Sequence, residues 1–230
     1  MYKHIIKRLI DIILSGVAII VLALPMLIVA IAIKIDDPGP VLFKQKRVGK
    51  KKNGEITYFM IWKFRSMKMS TPHDVPTHLL ENPEQYITKV GRFIRKTSLD
   101  ELPQIYQVFT SKLSVVGPRP ALWSQDDLVA EREKYGANDM KPGITGWAQI
   151  NGRDELEIDV KARFDGEYTA AINKGWFKGF AMDCRCFFGT IVSVLKSDGV
   201  VEGGTGRLNK QQEEKKEETN QNEKDTDNGR

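Results

Sequence analysis

Two adjacent carboxylates, Asp100 and Glu101, lie in a stretch of the chain that is rich in positive charge. Arg95 precedes the pair, and Arg119 follows it between two prolines. Three interpretations fit such a pair: side chains that cap a helix N-terminus, ligands of a divalent cation such as Mg²⁺, or a nucleophile that attacks phosphorus. Adjacent carboxylates can also divide the work, so that one attacks while the other holds the metal.

Five cations are candidates for orienting a phosphate beside this pair. They are Lys63, Arg65, Arg95, Lys96 and Arg119. An arginine binds phosphate with a planar, bidentate fork, and the prolines on both sides of Arg119 restrict its backbone. Each cation alone is most simply a solvated surface charge, but five that converge on one carboxylate pair would form a phosphate site.

The local pattern around the pair predicts a helix N-terminus. Ser98 followed by Glu101 three residues later matches a capping box, and a helix that begins with Asp100 as its N-cap is the alternative. Either arrangement would put both carboxylates where a helix favours negative charge.

The rest of the chain has alternating polar and apolar patterns that predict a mainly helical α+β fold. Two short β-prone runs flank a basic loop with an Asn-Gly turn signal, which indicates a hairpin; helical spacing recurs further on. The predicted strands are Val41–Phe43 and Thr57–Trp62, and the predicted helices are Glu84–Arg95, Ala121–Tyr135, Leu156–Lys174 and Trp176–Lys196. Met140–Asn151 is predicted to be a glycine-punctuated loop, and the last helix suits a membrane interface or a protein core about equally.

Residues Ile12–Ile33 contain no charged side chain and are long enough to cross a bilayer. Pro25 lies near the middle of this run, where a break would allow a re-entrant hairpin whose two ends lie on one side of the membrane. Positive charge flanks both ends, whereas a spanning helix is expected to show an asymmetry. The residues alone leave a re-entrant helix and an ordinary span with a proline kink both open.

Lys7 and Arg8 precede this apolar run and would lie at headgroup depth, where they can hold a lipid phosphate. Asp11, one turn further on, is predicted to form an ion pair with one of them.

Composition limits the remaining function classes. The 230 residues carry a net charge of +5, and basic segments without zinc spacing or interleaved aromatics argue against nucleic-acid binding. The two cysteines, Cys184 and Cys186, are too few for a disulfide framework and favour a reducing compartment.

Taken in order, the motifs resemble those of the monotopic phosphoglycosyl transferases, also called bacterial sugar transferases or polyprenyl-phosphate hexose-1-phosphate transferases. The similarity covers nearly the whole chain from Lys3 to about Asn209. It rests on the Lys7-Arg8-x-x-Asp11 start of the apolar run and on the segments 39–49, 63–67, 97–104, 114–120 and 141–153. Each segment is weak alone, but the order is specific.

The resemblance implies that a sugar 1-phosphate passes from a UDP-sugar to undecaprenyl phosphate, with release of UMP. It implies that Asp100 is the nucleophile, forming a covalent phosphosugar intermediate, and that Glu101 is a Mg²⁺ ligand. Candidate substrate-binding residues are Lys63, Arg65, Arg95, Arg119 and Gln149, and Lys7 and Arg8 stay the candidates for the lipid phosphate. The donor sugar is open, with an N-acetylated hexosamine suggested by resemblance alone.

The resemblance also favours the re-entrant helix over the span. We therefore expect three parts. Residues 1–36 would form an N-terminal, proline-broken re-entrant membrane helix, and residues 37–206 a catalytic domain with a short β-hairpin and interfacial amphipathic helices. Residues 207–230 would be a disordered charged tail. The implied location is the cytoplasmic face of the bacterial inner membrane, and the implied role is the first membrane step of exopolysaccharide, capsule or glycoprotein glycan assembly. The oligomeric state is open.

Two other functions fit the same residues. A Mg²⁺-dependent hydrolase of nucleotide sugars would release UMP without a lipid acceptor. A membrane-anchored assembly factor would use Asp100 and Glu101 only as helix caps.

Overall fold

The computed structural model describes residues 2–71, 83–152 and 156–196 and shows an α+β protein dominated by helices, as predicted. The α-helices are α1 (Lys7–Asp36), α2 (Lys89–Lys96), α3 (Gln104–Phe109), α4 (Asp126–Glu133), α5 (Trp147–Ile150), α6 (Ile158–Asn173) and α7 (Trp176–Lys196). The strands are β1 (Leu42–Val48), β2 (Tyr58–Phe64), β3 (Ser114–Val116) and β4 (Gly143–Thr145). The tail predicted for 207–230 lies outside the described residues.

Helix α1 contains the apolar run and is long and apolar enough to cross a membrane. The helix spans Pro25, so the predicted break does not divide it into two separate helices. Pro25 has no backbone N–H to donate to the preceding turn, which makes this the position where α1 bends most easily.

Both ends of α1 are attached to the rest of the protein. Near its start, the Asp11 carboxylate accepts hydrogen bonds from the Ser114 hydroxyl at 2.9 Å and from the Val115 N–H at 2.9 Å. At its end, Asp36 accepts a hydrogen bond of 2.8 Å from the Val90 N–H. The prediction of an ion pair between Asp11 and Lys7 or Arg8 is wrong, because the Asp11 carboxylate accepts hydrogen bonds from strand β3 instead.

The remaining face of α1 is exposed and aliphatic. Its exposed side chains include Ile13, Val17, Ile20, Val21, Leu24, Leu27, Ile28 and Ile31. The opposite face buries Met26, Val29 and Ile33 against Phe64 and Ile94. Helix α1 is therefore packed along one side and presents an unpartnered apolar side.

The predicted hairpin is confirmed. Strands β1 and β2 pair antiparallel from Leu42 opposite Phe64 to Val48 opposite Tyr58. The Gln107 side chain joins α3 to this hairpin, since its amide nitrogen donates to the Met60 carbonyl at 2.7 Å and its oxygen accepts from the Trp62 N–H at 2.9 Å. The end of β2 is thereby held against α3.

Strands β3 and β4 form a short parallel pair with α4 in the crossover between them. The sequence does not predict this pair: β4 lies inside the segment interpreted as a loop. Glycines permit the close approach, because a Cβ on Gly143 would lie 2.1 Å from the Gly117 nitrogen. Any other residue type at position 143 would push the strands apart.

The helical layer agrees with the sequence pattern for α6 and α7, while α4 and α2 are shorter than predicted. Tyr168 and Ile172 of α6 pack with Cys186 of α7 in one apolar cluster, together with Val116 at the end of β3. The outer side of α7 exposes aromatic and aliphatic side chains, which are Trp176, Phe177, Phe180, Phe187, Phe188, Ile191 and Val192.

Candidate active site

The two carboxylates lie in a turn of 3₁₀-helix, Leu99–Glu101, between α2 and α3. Ser98 enters this turn in the left-handed region, with φ of 57°, and its side chain makes no cap hydrogen bond. The predicted capping box is therefore wrong, and α3 begins only at Gln104. A non-glycine residue with positive φ is a strained conformation that is found preferentially at functional sites.

Glu101 is held by two cations. The Arg119 guanidinium contacts both of its carboxylate oxygens, at 2.6 and 3.3 Å, and Lys63 Nζ lies 3.0 Å from Oε1. Burial alone would raise the pKa of Glu101, but Arg119 and Lys63 outweigh burial and hold the pKa well below its usual range. Glu101 is therefore a fixed anion.

Asp100 has a different environment. Its side chain is buried, and the cation that the structure places beside it is again Lys63, with Nζ 3.6 Å from Oδ2. Burial raises the pKa of Asp100 to about 6, Lys63 opposes this, and the negative charge of Glu101 adds to it. Two neighbouring carboxylates thus have separated pKa values, which is typical of sites where they have different tasks.

Three of the predicted cations converge on this pair. Lys63 lies at the end of β2, Arg119 follows β3, and Arg95 in the last turn of α2 lowers the Asp100 pKa electrostatically. Arg65 makes its described ion pair with Asp37, with Nη1 3.0 Å from Oδ2, and so braces the end of α1. The geometry thus brings together Lys63, Arg95 and Arg119, and gives Arg65 a different partner.

A cavity of about 170 Å³ opens beside Glu101 and Arg119. Its wall also includes Ser98, Leu102, Ile105, Ile144, Thr145, Gln149, Ile150, Thr190 and Ser193. Gln149 is 8% exposed, and within the described part of the chain neither its amide nitrogen nor its amide oxygen has a hydrogen-bond partner. A buried amide costs about 1–3 kcal/mol when left unpaired, so Gln149 is suited to meet a ligand that both donates and accepts.

The predicted lipid-phosphate residues have protein partners. The Lys7 ammonium is buried and lies 2.6 Å from Asp183 Oδ2. Arg8 donates to the carbonyls of Val108 and Phe109, at 2.7 and 2.6 Å. Both cations attach the start of α1, and a role in binding lipid phosphate stays a prediction.

Asp183 is the residue that the sequence interpretation missed. Its carboxylate accepts hydrogen bonds from the hydroxyls of Tyr2, at 2.5 Å, and Tyr168, at 2.9 Å, in addition to the ion pair with Lys7. A single acidic side chain in the otherwise apolar and basic middle of α7 is the signal that could have indicated it.

The sequence is similar to known proteins over most of its length. A family model described as bacterial sugar transferase matches residues 2–197. The chain is 40% identical to the UDP-glucose:undecaprenyl-phosphate glucose-1-phosphate transferase of Escherichia coli K12 over 179 aligned residues. The aligned region covers 72% of this chain and 36% of that protein. It is 34% identical over 207 residues to the undecaprenyl-phosphate galactose phosphotransferase of Salmonella typhimurium, covering 84% and 41%.

A relative of similar length also matches. The exopolysaccharide production protein PSS of Rhizobium leguminosarum is 38% identical over 203 residues, covering 83% of this chain and 96% of that protein. The chain thus spans well under half of the length of the glucose and galactose transferases, and nearly all of the Rhizobium protein.

Proposed function

The chain belongs to the bacterial sugar transferases, and from this premise we propose that it transfers a sugar 1-phosphate from a UDP-sugar to undecaprenyl phosphate, releasing UMP. The donor and acceptor classes are those in the names of the E. coli and Salmonella relatives. The observation that carries the proposal is the convergence of cations on the adjacent carboxylates: Lys63 Nζ lies 3.6 Å from Asp100 and 3.0 Å from Glu101, and Arg119 Nη2 lies 2.6 Å from Glu101.

In the proposed mechanism, Asp100 is the nucleophile. A carboxylate oxygen bonds to the β-phosphorus of the donor, the bond from that phosphorus to the bridging oxygen breaks, and UMP leaves with the electron pair. A phosphate oxygen of the acceptor then attacks the same phosphorus and releases Asp100. A pKa of about 6 supports this role, because Asp100 is largely ionised at neutral pH yet is shielded from water.

The donor set of the site fits Mg²⁺, which proteins usually hold with one or two carboxylates while substrate phosphates complete the coordination. Glu101 would hold the ion, and within the described residues no group of three or more potential ligands competes with the pair. When bound, the ion would neutralise charge on the transferred phosphate. Arg119 and Lys63, which contact Glu101 at 2.6 and 3.0 Å, would bind the donor diphosphate.

Gln149 is proposed to contact the donor sugar. Its unpaired amide shares a cavity with Glu101 and Arg119. An acetamido group supplies one N–H and one C=O and would satisfy both halves of the Gln149 amide. This supports an N-acetylated hexosamine as the donor sugar. A sugar hydroxyl, as in glucose or galactose, can also donate and accept a hydrogen bond. Rates with a panel of UDP-sugars, for the native protein and Gln149→Met, will identify the donor. The variant should lose most of the preference between sugars.

We also propose that α1 is re-entrant, bending at Pro25 while it stays helical, and that the protein lies on the cytoplasmic side of the inner membrane. Lys7 and Asp36 at opposite ends of α1 both contact the same folded unit, through Asp183 and Val90. A helix that crossed a hydrocarbon core about 30 Å thick would hold its ends on opposite sides. The exposed aromatics of α7 and the exposed side of α1 would face the lipid.

Labelling with a membrane-impermeant thiol reagent tests this topology. Cysteines introduced at Lys3 and in the 207–230 tail of a Cys184→Ser, Cys186→Ser protein should be modified from the same side of the membrane. Labelling from opposite sides would restore the spanning model.

The reaction itself is tested by measuring UMP release from UDP-sugars with Mg²⁺ and polyprenol phosphate. Asp100→Asn should abolish turnover, while Asp126→Asn, an exposed carboxylate in α4, should leave it unchanged. Near-native turnover by Asp100→Asn would refute the covalent mechanism.

Two controls separate the other functions. UMP release that persists without polyprenol phosphate would identify a hydrolase. Intact glycan synthesis in cells that produce Asp100→Ala at the native protein level would indicate an assembly factor.

A further inference from the structure

The segment that carries Arg119 is built in an unusual way. Pro118 and Pro120 have no backbone N–H, so this stretch cannot take part in a normal ladder of strand hydrogen bonds. Its carbonyls nevertheless have donors: the Gly143 N–H donates to Pro118 at 3.0 Å, and an Arg47 nitrogen donates to Pro120 at 3.2 Å. Of these two donors, one is a backbone N–H of β4 and the other is a side-chain guanidinium.

The carbonyl of Arg119 itself is held by Arg132. Arg132 Nη2 donates to this oxygen at 2.9 Å, and the same guanidinium binds Asp165 Oδ2 through Nε at 2.8 Å and Nη2 at 2.6 Å. Arg132 lies in α4 and Asp165 in α6, and both are buried, at 4% and 0% exposure. Burying this ion pair is costly, and breaking it would leave a buried charge unpaired.

We propose that Arg132, oriented by Asp165, is a positioning residue that fixes the Arg119 backbone so that the Arg119 side chain reaches Glu101 and the donor diphosphate. The planar guanidinium of Arg132 is suited to this role, because a guanidinium binds a carboxylate and a carbonyl at the same time in fixed directions. Tyr168, one turn after Asp165 in α6, donates to the Val116 carbonyl at 3.2 Å and holds the start of the same segment. This assignment rests on the proposed function only for the identity of the diphosphate.

Two variants separate positioning from stability. Arg132→Lys keeps a positive charge beside Asp165 but loses the planar fork in which Nε binds Asp165 while Nη2 also reaches the Arg119 carbonyl. The double replacement Arg132→Met with Asp165→Leu removes both charges, which commonly preserves stability, and also removes the donor to Arg119. Both proteins should melt within about 4 °C of the native protein.

The test measures UDP affinity by calorimetry and UMP release by the transfer assay in the native protein, Arg132→Lys, the double replacement, Arg119→Ala and Arg119→Ala with Arg132→Lys. A displacement of about 1 Å at a positioned group costs about 100-fold in rate, so kcat should fall about that much in Arg132→Lys and in the double replacement. UDP binding should weaken in both as it does in Arg119→Ala. Adding Arg132→Lys to Arg119→Ala should change neither quantity further, because Arg132 acts through Arg119.

Native kcat and UDP affinity in the well-folded Arg132→Lys or double replacement would overturn the assignment. So would a full additional loss in the Arg119→Ala background, because that result indicates a structural role independent of Arg119. If the native protein binds UDP but releases no UMP, the proposed function fails, and the calorimetric comparison still decides the role of Arg132.

Discussion

Removing the Asp183 carboxylate should destabilise the protein strongly, because this group ties the start of α1 to α6 and α7. It lies 2.6 Å from Lys7 Nζ and accepts hydrogen bonds from the hydroxyls of Tyr2 and Tyr168. The side chains of Lys7 and Asp183 are only 9% and 12% exposed. Burial, with Asp183 adding to it, raises the pKa of Tyr168 well above its usual value, so this hydroxyl stays a donor at any physiological pH.

The magnitude follows from what Asp183→Leu leaves behind: a buried ammonium without its counter-ion, a Tyr2 hydroxyl without this acceptor, and a Tyr168 hydroxyl that keeps only the Val116 carbonyl at 3.2 Å. Leaving a buried charge unpaired costs about 3–5 kcal/mol, and the hydroxyl losses overlap with that cost because the three donors share one carboxylate. For a chain of this size, about 1 kcal/mol corresponds to about 2–4 °C in the melting temperature. We therefore expect Asp183→Leu to lower the melting temperature by about 6–20 °C.

Thermal unfolding followed by far-ultraviolet circular dichroism in detergent measures this change. Lys134→Ala is the matched control, because it removes an exposed ion pair with Glu131, for which the expected cost is below about 1 kcal/mol. Asp183→Asn keeps a hydrogen-bond acceptor without the charge, so its melting temperature should lie between those of Asp183→Leu and Lys134→Ala. A decrease in melting temperature of less than about 3 °C for Asp183→Leu would refute the view that the contacts of Asp183 hold α1 in place.

Three further predictions concern charge and chemistry at single groups. Lys63→Met should raise the Asp100 pKa further above its native value of about 6, because the ammonium 3.6 Å away favours the charged carboxylate. A ¹³C NMR titration of the metal-free protein measures this pKa, and an unchanged or lower value would contradict the assigned environment. Cys184 should react with a thiol reagent at pH 8 and Cys186 should not, because burial, reinforced by Asp183, raises the Cys186 pKa to about 12. Mass spectrometry after labelling distinguishes the two thiols. Equal labelling of both in the folded protein would contradict this prediction. Chelation by EDTA should stop UMP release and added Mg²⁺ should restore it, whereas full turnover in EDTA would exclude the proposed metal role.

Local patterns predicted the parts of the fold that local energetics determine. The apolar run of α1, the hairpin of β1 and β2, and helices α6 and α7 all have a period or a turn signal that identifies them. The β3–β4 pair was missed because each strand has three residues and the pairing depends on glycines that are close only in the folded chain. The left-handed Ser98 was missed because its sequence matches a helix cap equally well.

The same distinction applies to the site. The charges of Lys63 and Arg119 indicated a phosphate site, and the structure places both on Glu101. Pairings such as Arg132 with Asp165 and Lys7 with Asp183 join residues that are distant in the chain. A lone acidic residue such as Asp183 is visible in the sequence, but its partner cannot be identified there. The charge of Arg65 also suggested a phosphate contact; its described partner is Asp37, and the phosphate contact stays a prediction.

The attachments of α1 indicate that it does more than hold the protein at a membrane. Asp11 binds Ser114 and Val115, only a few residues before Arg119, and Asp37 beyond the other end of α1 binds Arg65, two residues after Lys63. The two cations that fix Glu101 therefore lie on segments that α1 braces directly. Because a 1 Å error in such groups has a large effect on rate, insertion of α1 and the geometry of the carboxylate pair are expected to be mechanically coupled.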